Sequence, residues 1–245
     1  MRIVTLIEDT RALADTRGLH ADHGIALYIE TGSRRILFDT GPDETFLKNA
    51  EKLGVDLSAV ELAVVSHGHY DHGGGVQAFC GMNDTSDIYL HSRAVGDGHY
   101  ALKAGKPPRD AGFSAGKYAR RLIFVDTAPE ADWQRDASWE VLPGVLLFGG
   151  FPDQGYIPTG NRTLYASPEA GNPEVLQQDD FSHEIAMLVR EQRHTVLISG
   201  CSHRGIGNII ERALSLTDTG RLDAVVGGFH LTDSELSQPD TRGQI

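Results

Sequence analysis

Only two cysteines, Cys80 and Cys201, occur in 245 residues, too few for a disulfide framework. Positive charge is scarce as well: 22 Lys and Arg stand against 34 Asp and Glu, a formal net charge of −12. Phosphate backbones are bound by clustered Lys and Arg, so this balance argues against a nucleic-acid surface. A local basic pocket, or metal cations that offset acidity around a site, remains compatible with it. Long hydrophobic runs are missing too. No segment approaches the roughly 20 apolar residues of a membrane span. The opening MRIVTLIEDTRALAD has one early charge followed by acidic residues, which is not the pattern of a signal peptide. The expectation is a soluble, cytoplasmic, enzyme-sized chain with no nucleic-acid and no membrane partner. A homo-oligomer and a small-molecule substrate are the partners left open.

Short apolar runs punctuated by Gly, Pro and Asp fill the sequence. RIVTLIE (2–8), GIALYIET (24–31) and RRILFDTG (34–41) read as strands, and DETFLKNAEKLG (43–54) has the spacing and terminal Gly of a helix. ELAVVS and DIYLHS (87–92) read as further strands, with a helix starting at GGVQAF between them. The second half repeats this grammar. VLLFGG (145–150), EIAMLVRE (184–191), HTVLISG (194–200) and LDAVVGGF (222–229) are expected strands, and IGNIIERALSLTDTG (206–220) a helix. This alternation predicts an α/β chain of mixed sheets with helices outside. No linker divides it, so one domain over 1–245 is expected, with an irregular insertion or lid at about 95–143.

The densest chemistry is HGHYDH (67–72), three histidines and an aspartate in six positions, with an apolar run before it and three glycines after it. In an extended strand, residues two apart face the same side, so His67 and His69 are expected to project together. The chain then turns, bringing Asp71 and His72 to serve a second ion. Imidazole and carboxylate suit Zn²⁺, with Fe or Mn²⁺ as alternatives, in one or two sites. Gly73, Gly74 and Gly75 let the backbone fold tightly behind these ligands.

The His-x-His-x-Asp-His order resembles the metallo-β-lactamase-fold superfamily. The resemblance implies a four-layer αβ/βα sandwich of two mixed β-sheets flanked by helices, with a two-metal site at the sheet edge. Asp39, in FDTG, is then expected to orient a ligand histidine through its other ring nitrogen. Further stretches, ADHGIALYIET (21–31), IPTGNRTLY (157–165), DDFSHEIAMLV (179–189), ISGCSHRGIGNII (198–210) and VVGGFHL (225–231), are similar to the dihydropterin-methyl-aminobenzene-ribofuranosyl phosphate synthase-like group. Members of that group continue from GGFHL to a His-Cys-Thr-Gly segment, whereas this chain stops fifteen residues after His230. Either His230 does that work, or the second site lacks a ligand, or a partner subunit supplies one.

His203, in GCSH, is the first choice to complete the metal shells, followed by His230. Cys201 sits where many superfamily members carry a bridging Asp, as a ligand or as a buried inert thiol. His183 and Asp180 compete for a further ligand or site-lining position, and either could simply cap a turn. His23, ahead of its neighbour His20, is expected to line a substrate pocket. Arg162 and Arg204, with Lys106 or Arg109 behind them, are candidates for holding a phosphate or carboxylate. His91 reads as a structural residue near the site, and His99 and His194 as surface residues.

Metal-bound water is a nucleophile near neutral pH, and Asp71 is placed to take its proton as general base. The leading expectation is a metal-dependent hydrolase acting on a small anionic ester or phosphate-containing substrate. One alternative is transfer of a dihydropterin-methyl unit from a diphosphate, although no aromatic pair can be assigned to stacking a pterin. Another is a non-catalytic metal-binding protein of the same fold.

Overall fold

In a computed structural model, the chain is described for residues 1–11, 14–128, 133–169 and 171–237. Residues 129–132 of the stretch read as a lid, and the terminal DTRGQI, lie outside the described residues. The chain divides into two compact units, one of residues 1–95 and 111–128, the other of residues 96–110 and 129–245.

The first unit is built on a six-stranded sheet. Its order is Arg2–Ile7, Ala26–Glu30, Arg35–Phe38, Leu62–Val64, Asp87–Leu90 and Leu122–Phe124. The first three strands pair antiparallel and the rest parallel. Ala26–Ile29 and Leu62–Val64 are buried at every position, the mark of strands covered on both faces. Helix Thr45–Leu53 buries Phe46, Asn49 and Ala50 and ends at Gly54, whose φ of 67° makes the left-handed C-terminal cap that glycine adopts without steric cost. Phe46, Phe79, Leu37 and Val76 belong to the core cluster of this unit.

The second unit holds a five-stranded sheet, ordered Ala224–Gly227, His194–Ser199, Ala186–Glu191, Val145–Phe148 and Ser138–Leu142, in which only the first pair is parallel. Helix Ile206–Ser215 sets Ile206, Ile209 and Ala213 into a core with Phe148, Leu188 and Leu197. The helix is shorter than the 206–220 expected from the sequence. A small antiparallel sheet of Gln177–Gln178, Leu164–Ser167, Gly98–Ala101 and Arg109–Asp110 also belongs to this unit. Its strands Gly98–Ala101 and Arg109–Asp110 fall within the 95–143 stretch expected to be irregular, since strands of two to four residues give little periodicity. No described helix is long and apolar enough to cross a membrane.

Candidate metal centre

The first unit places its ligand candidates one step later than strand geometry suggests. The strand ends at Val64, so His67 and His69 do not alternate on an extended strand. His67 lies in a bend, His69 is the extended residue that starts a short helix, and Asp71 and His72 stand inside that helix, Tyr70–Gly73. The rings converge nonetheless. Centroids of His67 and His69 are 4.7 Å apart, and those of His67 and His72 are 4.3 Å apart. All four side chains are buried, and Asp71 Oδ2 lies 3.5 Å from His72 Nε2.

One carboxylate fixes two of these imidazoles. Asp39, fully buried and held at φ 58°, accepts from the Ser66 amide at 2.7 Å and the Ser66 hydroxyl at 2.8 Å. It also accepts from Nδ1 of His72 at 2.6 Å. The Ser66 hydroxyl donates its hydrogen bond to Asp39, so its lone pair faces Nδ1 of His67, 2.8 Å away. Nδ1 therefore carries the proton in both rings, and Nε2 presents the lone pair a cation needs. This is the outer-shell arrangement that orients metal-binding histidines. The donor set fits a borderline-soft divalent ion such as Zn²⁺, and Fe²⁺ or Mn²⁺ also accept it.

The glycines behind the run act through space. Gly74 and Gly75 have negative φ, but a Cβ on Gly74 would stand 2.1 Å from the Pro42 carbonyl oxygen, and one on Gly75 2.4 Å from that of Thr40. His23 is exposed, with Nε2 3.5 Å from Asp71 Oδ2 and Nδ1 3.2 Å from Asp9 Oδ1. Its neighbour Gly24 lies so close that a Cβ would meet the Asp71 carbonyl oxygen at 2.0 Å. His20 is exposed, and His91 lies beside Asp126 at 3.8 Å.

In the second unit, Cys201, His203 and His230 bring one potential ligand atom each to within 4.8 Å of one another. His203 and His230 rings are 4.5 Å apart. Two backbones here take positive φ, Ser202 at 60° and His230 at 47°, a conformation that costs energy outside glycine and is concentrated at working sites. Asn161 donates to the His203 carbonyl at 2.8 Å, which fixes its amide and turns Oδ1 toward Nδ1 of His203, also at 2.8 Å. An amide oxygen can only accept, so His203 too carries its proton on Nδ1 and offers Nε2. Buried Glu184 holds the loop by accepting from the amides of His203 and Arg204, each at 2.8 Å. A Cβ on Gly160 would collide with His230 Nε2 at 2.5 Å, so only glycine lets the ring sit there.

Asp180 is exposed and its Oδ1 accepts from the Ser182 amide, the turn-capping use of an Asp. The buried carboxylate is its neighbour Asp179, whose Oδ2 lies 3.3 Å from Nε2 of His183 and 3.2 Å from Nδ1 of His99. Burial opposes ionisation of Asp179, but the hydrogen bonds from His183 and His99 outweigh it and hold its carboxyl far below the usual range. His99 is thus not a surface residue. It is 1% exposed, and only His194 of that pair lies on the surface. The sequence signal for Asp179 was the doubled Asp of DDFSH, and for Asn161 its place in the IPTGNRTLY stretch.

Asp180, Arg162, Arg204 and His203 also line a cavity of about 530 Å³ in the second unit, with Ile157, Pro158 and Phe181. The Phe181 ring stacks on His203 with centroids 4.4 Å apart and planes inclined by 11°. Arg204 is engaged by the protein itself, donating to the Asp180 carbonyl at 2.9 Å, to Asp153 at 2.8 Å and to the Phe151 carbonyl at 3.3 Å. Lys106 and Arg109 are exposed.

A mixed α/β fold with a compact histidine–aspartate run after a parallel strand defines a class, the metallo-β-lactamase fold. The profile of the metallo-beta-lactamase superfamily matches residues 21–176, and the chain belongs to that superfamily. It is 26% identical over 243 residues to the 7,8-dihydropterin-6-methyl-4-(beta-D-ribofuranosyl)-aminobenzene-5'-phosphate synthase of Methanocaldococcus jannaschii, covering 96% of this chain and 79% of the relative. An uncharacterized protein of the same organism is 26% identical over 215 residues, 86% of this chain and 73% of that one. A crystal structure described as a metal-dependent hydrolase of the beta-lactamase superfamily is 30% identical with a TM-score of 0.76, covering 99% of this chain and 80% of that chain.

Proposed function

We propose that this chain is a metal-dependent hydrolase acting on a small anionic ester or phosphate-containing substrate. The observation that supports this reading most is the Asp39–Ser66–His67 and Asp39–His72 network, which sets two buried imidazoles in the metal-binding tautomer. His67, His69, Asp71 and His72 would hold Zn²⁺, or Fe or Mn²⁺ in its place. His203 and His230, with Cys201 beside them, are the donors proposed for the second unit. A divalent ion held there would lower the pKa of water toward neutrality and would offset charge developing on a substrate oxygen. Asp71, a buried carboxylate, is the group that would accept a proton from water at this site. His23, at 3.5 Å from the Asp71 carboxylate and open to solvent, is the residue proposed to meet the substrate beside this base.

A second reading, transfer of a dihydropterin-methyl group, is favoured by one observation: the synthase relative aligns with 96% of this chain. Elemental analysis of the native protein, joined to assays on phosphomonoester, phosphodiester, thioester and lactone panels with Zn²⁺, Mn²⁺ or Fe²⁺, tests both. At least one ion per chain with water-dependent product release supports the hydrolase. Diphosphate release that requires an arylamine ribofuranosyl phosphate acceptor supports the transferase. Less than one ion per chain and no turnover with any added metal would leave a non-catalytic metal-binding protein.

A further inference from the structure

Phe181, in the second unit, holds a backbone that its side chain disfavours. Its φ is 51°, in the left-handed region that glycine, Asn and Asp visit and that is an outlier for a bulky residue. Such a conformation costs energy and persists only where the surroundings over-determine it, most often at working sites.

Here the surroundings do so. Asp179 Oδ1 accepts from the Phe181 amide at 2.8 Å, and the Phe181 carbonyl accepts from the Glu184 amide at 3.0 Å. The other carboxylate oxygen of Asp179 lies 3.2 Å from Nδ1 of His99 and 3.3 Å from Nε2 of His183, all three residues being buried. The two imidazoles fix the carboxylate, and the carboxylate fixes Phe181. On the other side of the turn, Glu184 accepts from the amides of His203 and Arg204, while Arg204 donates to the Asp180 carbonyl at 2.9 Å. Residues 179–184 and the loop that carries His203 are therefore laced together.

This lacing delivers one ring. Phe181 is 3% exposed and lies flat on the His203 imidazole, with 4.4 Å between centroids and 11° between planes. The hydrogen bond between Asn161 and Nδ1 of His203 settles which nitrogen carries the proton, but it holds the ring at one atom only. The last torsion of a histidine side chain has a broad minimum, so one such bond leaves the plane free to swing. A flat neighbour removes that freedom.

We infer that Phe181 is a positioning residue for His203: its ring sets the plane of the imidazole, and with it the direction in which Nε2 presents its lone pair, before any ion is bound. The positive φ brings the ring there. The buried His99–Asp179–His183 group, which the proposed chemistry does not otherwise use, is its brace. The inference rests on the reading of His203 as a metal donor for its consequence, tighter binding of an ion in the second unit; the ring geometry itself needs no metal.

The test follows the His203 ring in the full chain, first stripped of metal with a chelator. Histidine labelled with carbon-13 and nitrogen-15 reports ring order through relaxation and the tautomer through nitrogen shifts, and the His203 signals are assigned by their loss in His203→Gln. Phe181→Leu keeps a large apolar side chain without a plane. It should lower the order of the His203 ring and leave the proton on Nδ1. It should also weaken Zn²⁺ binding about tenfold in competition with a chromophoric chelator, the lower end of the cost of losing a partner that orients a ligand histidine. Phe181→Tyr keeps the ring and should keep both order and affinity. Phe181→Met replaces the leucine variant if circular dichroism shows the latter unfolded. A His203 ring that stays ordered in Phe181→Leu, even with a lower melting temperature, would reduce Phe181 to packing and overturn the assignment. Unchanged Zn²⁺ affinity in that variant, or an equal loss in Phe181→Tyr, would overturn it too. No Zn²⁺ binding by wild type would sink it together with the metal reading. Ring order and affinity lost in Phe181→Leu, with no turnover by wild type under any metal, would keep Phe181 and reject the hydrolase. Metal-dependent turnover by wild type, with ring and affinity unmoved in Phe181→Leu, would do the reverse.

Discussion

In the first unit, His67, His69, Asp71 and His72 arrive within six residues, and one buried carboxylate, Asp39, sets the tautomer of two rings. In the second, Cys201, His203 and His230 come from two separate loops and lean on Asn161, Glu184 and the bare backbone of Gly160. His67 and His72 in the first unit and His203 in the second reach the same chemical end, an Nε2 lone pair on a ring whose Nδ1 is engaged. They differ in how the orientation is secured. A carboxylate does it in the first unit, directly for His72 and through the Ser66 hydroxyl for His67, and a neutral amide in the second; charge-assisted hydrogen bonds are about twice as strong as neutral ones.

The largest effect should come from the run itself. His69→Ala removes a buried donor from a group with no spare members nearby in sequence, and should abolish both metal retention and turnover. Elemental analysis after desalting measures the first, and stoichiometric metal in the variant would remove the run from the chemistry. Next in size are the orienting residues, where the two units can be set against each other. Asp39→Asn keeps the shape but replaces the acceptor of the His72 Nδ1 proton with an amide, and metal affinity should fall about 10–100-fold, the usual cost of losing such a partner. Asn161→Ala should cost nearer tenfold, because the lost bond to His203 is neutral. Competition titration with a chromophoric chelator ranks them, and an Asn161→Ala loss larger than that of Asp39→Asn would invert the comparison. Cys201→Ser sharpens it further. Affinity unchanged within twofold gives the thiol a packing role, while a tenfold loss makes it a ligand.

Much of this contrast is legible in the amino-acid sequence. The strands Arg2–Ile7, Ala26–Glu30, His194–Ser199 and Ala186–Glu191 are apolar runs bounded by turn residues, and such runs survive any tertiary context that buries them. The histidine run was legible because its ligands are local. What the sequence hid is the support that arrives from elsewhere: Asn161 acts on a residue 42 positions away and Asp179 on one 80 positions away. The stretches DDFSH and IPTGNRTLY draw attention to these residues, but no local pattern says which distant histidine each one meets. His99 looked like a surface residue because it lies among Gly, Asp and Tyr, and its burial comes from the small sheet, whose strands are too short to show a period. The expected alternation of His67 and His69 failed for a related reason. The strand stops at Val64, and the short helix after it converges the rings by its own turn.

The smallest expected effect concerns how His230 is kept in place. Glu235, buried five residues beyond it, accepts from the Tyr156 hydroxyl at 2.6 Å and from Thr159 at both its amide and hydroxyl, each 2.8 Å. It also accepts from the amide and hydroxyl of Thr232, at 2.8 and 2.7 Å. These bonds tie the segment after His230 to the residues just before Gly160, where the ring packs. Burial by itself raises the Glu235 pKa, but the donors from Tyr156, Thr159 and Thr232 outweigh it and hold the carboxyl well below its ordinary value. A depressed carboxylate stabilises the fold fully above its unfolded pKa, about 4.3, and that contribution is lost as pH falls from there toward the folded value. Glu235→Gln should therefore lower stability at pH 7 by roughly 1–3 kcal/mol, the cost of leaving buried donors poorly met. The difference from wild type should shrink as the pH drops below about 4.3, because protonation then weakens the wild-type acceptor as well. Thermal melts at several pH values measure it, and a gap that is constant from pH 7 to pH 3 would refute the ionised carboxylate. Metal content at pH 7 should stay near that of wild type, since Glu235 contacts none of the donors and the first unit keeps its own orienting carboxylate.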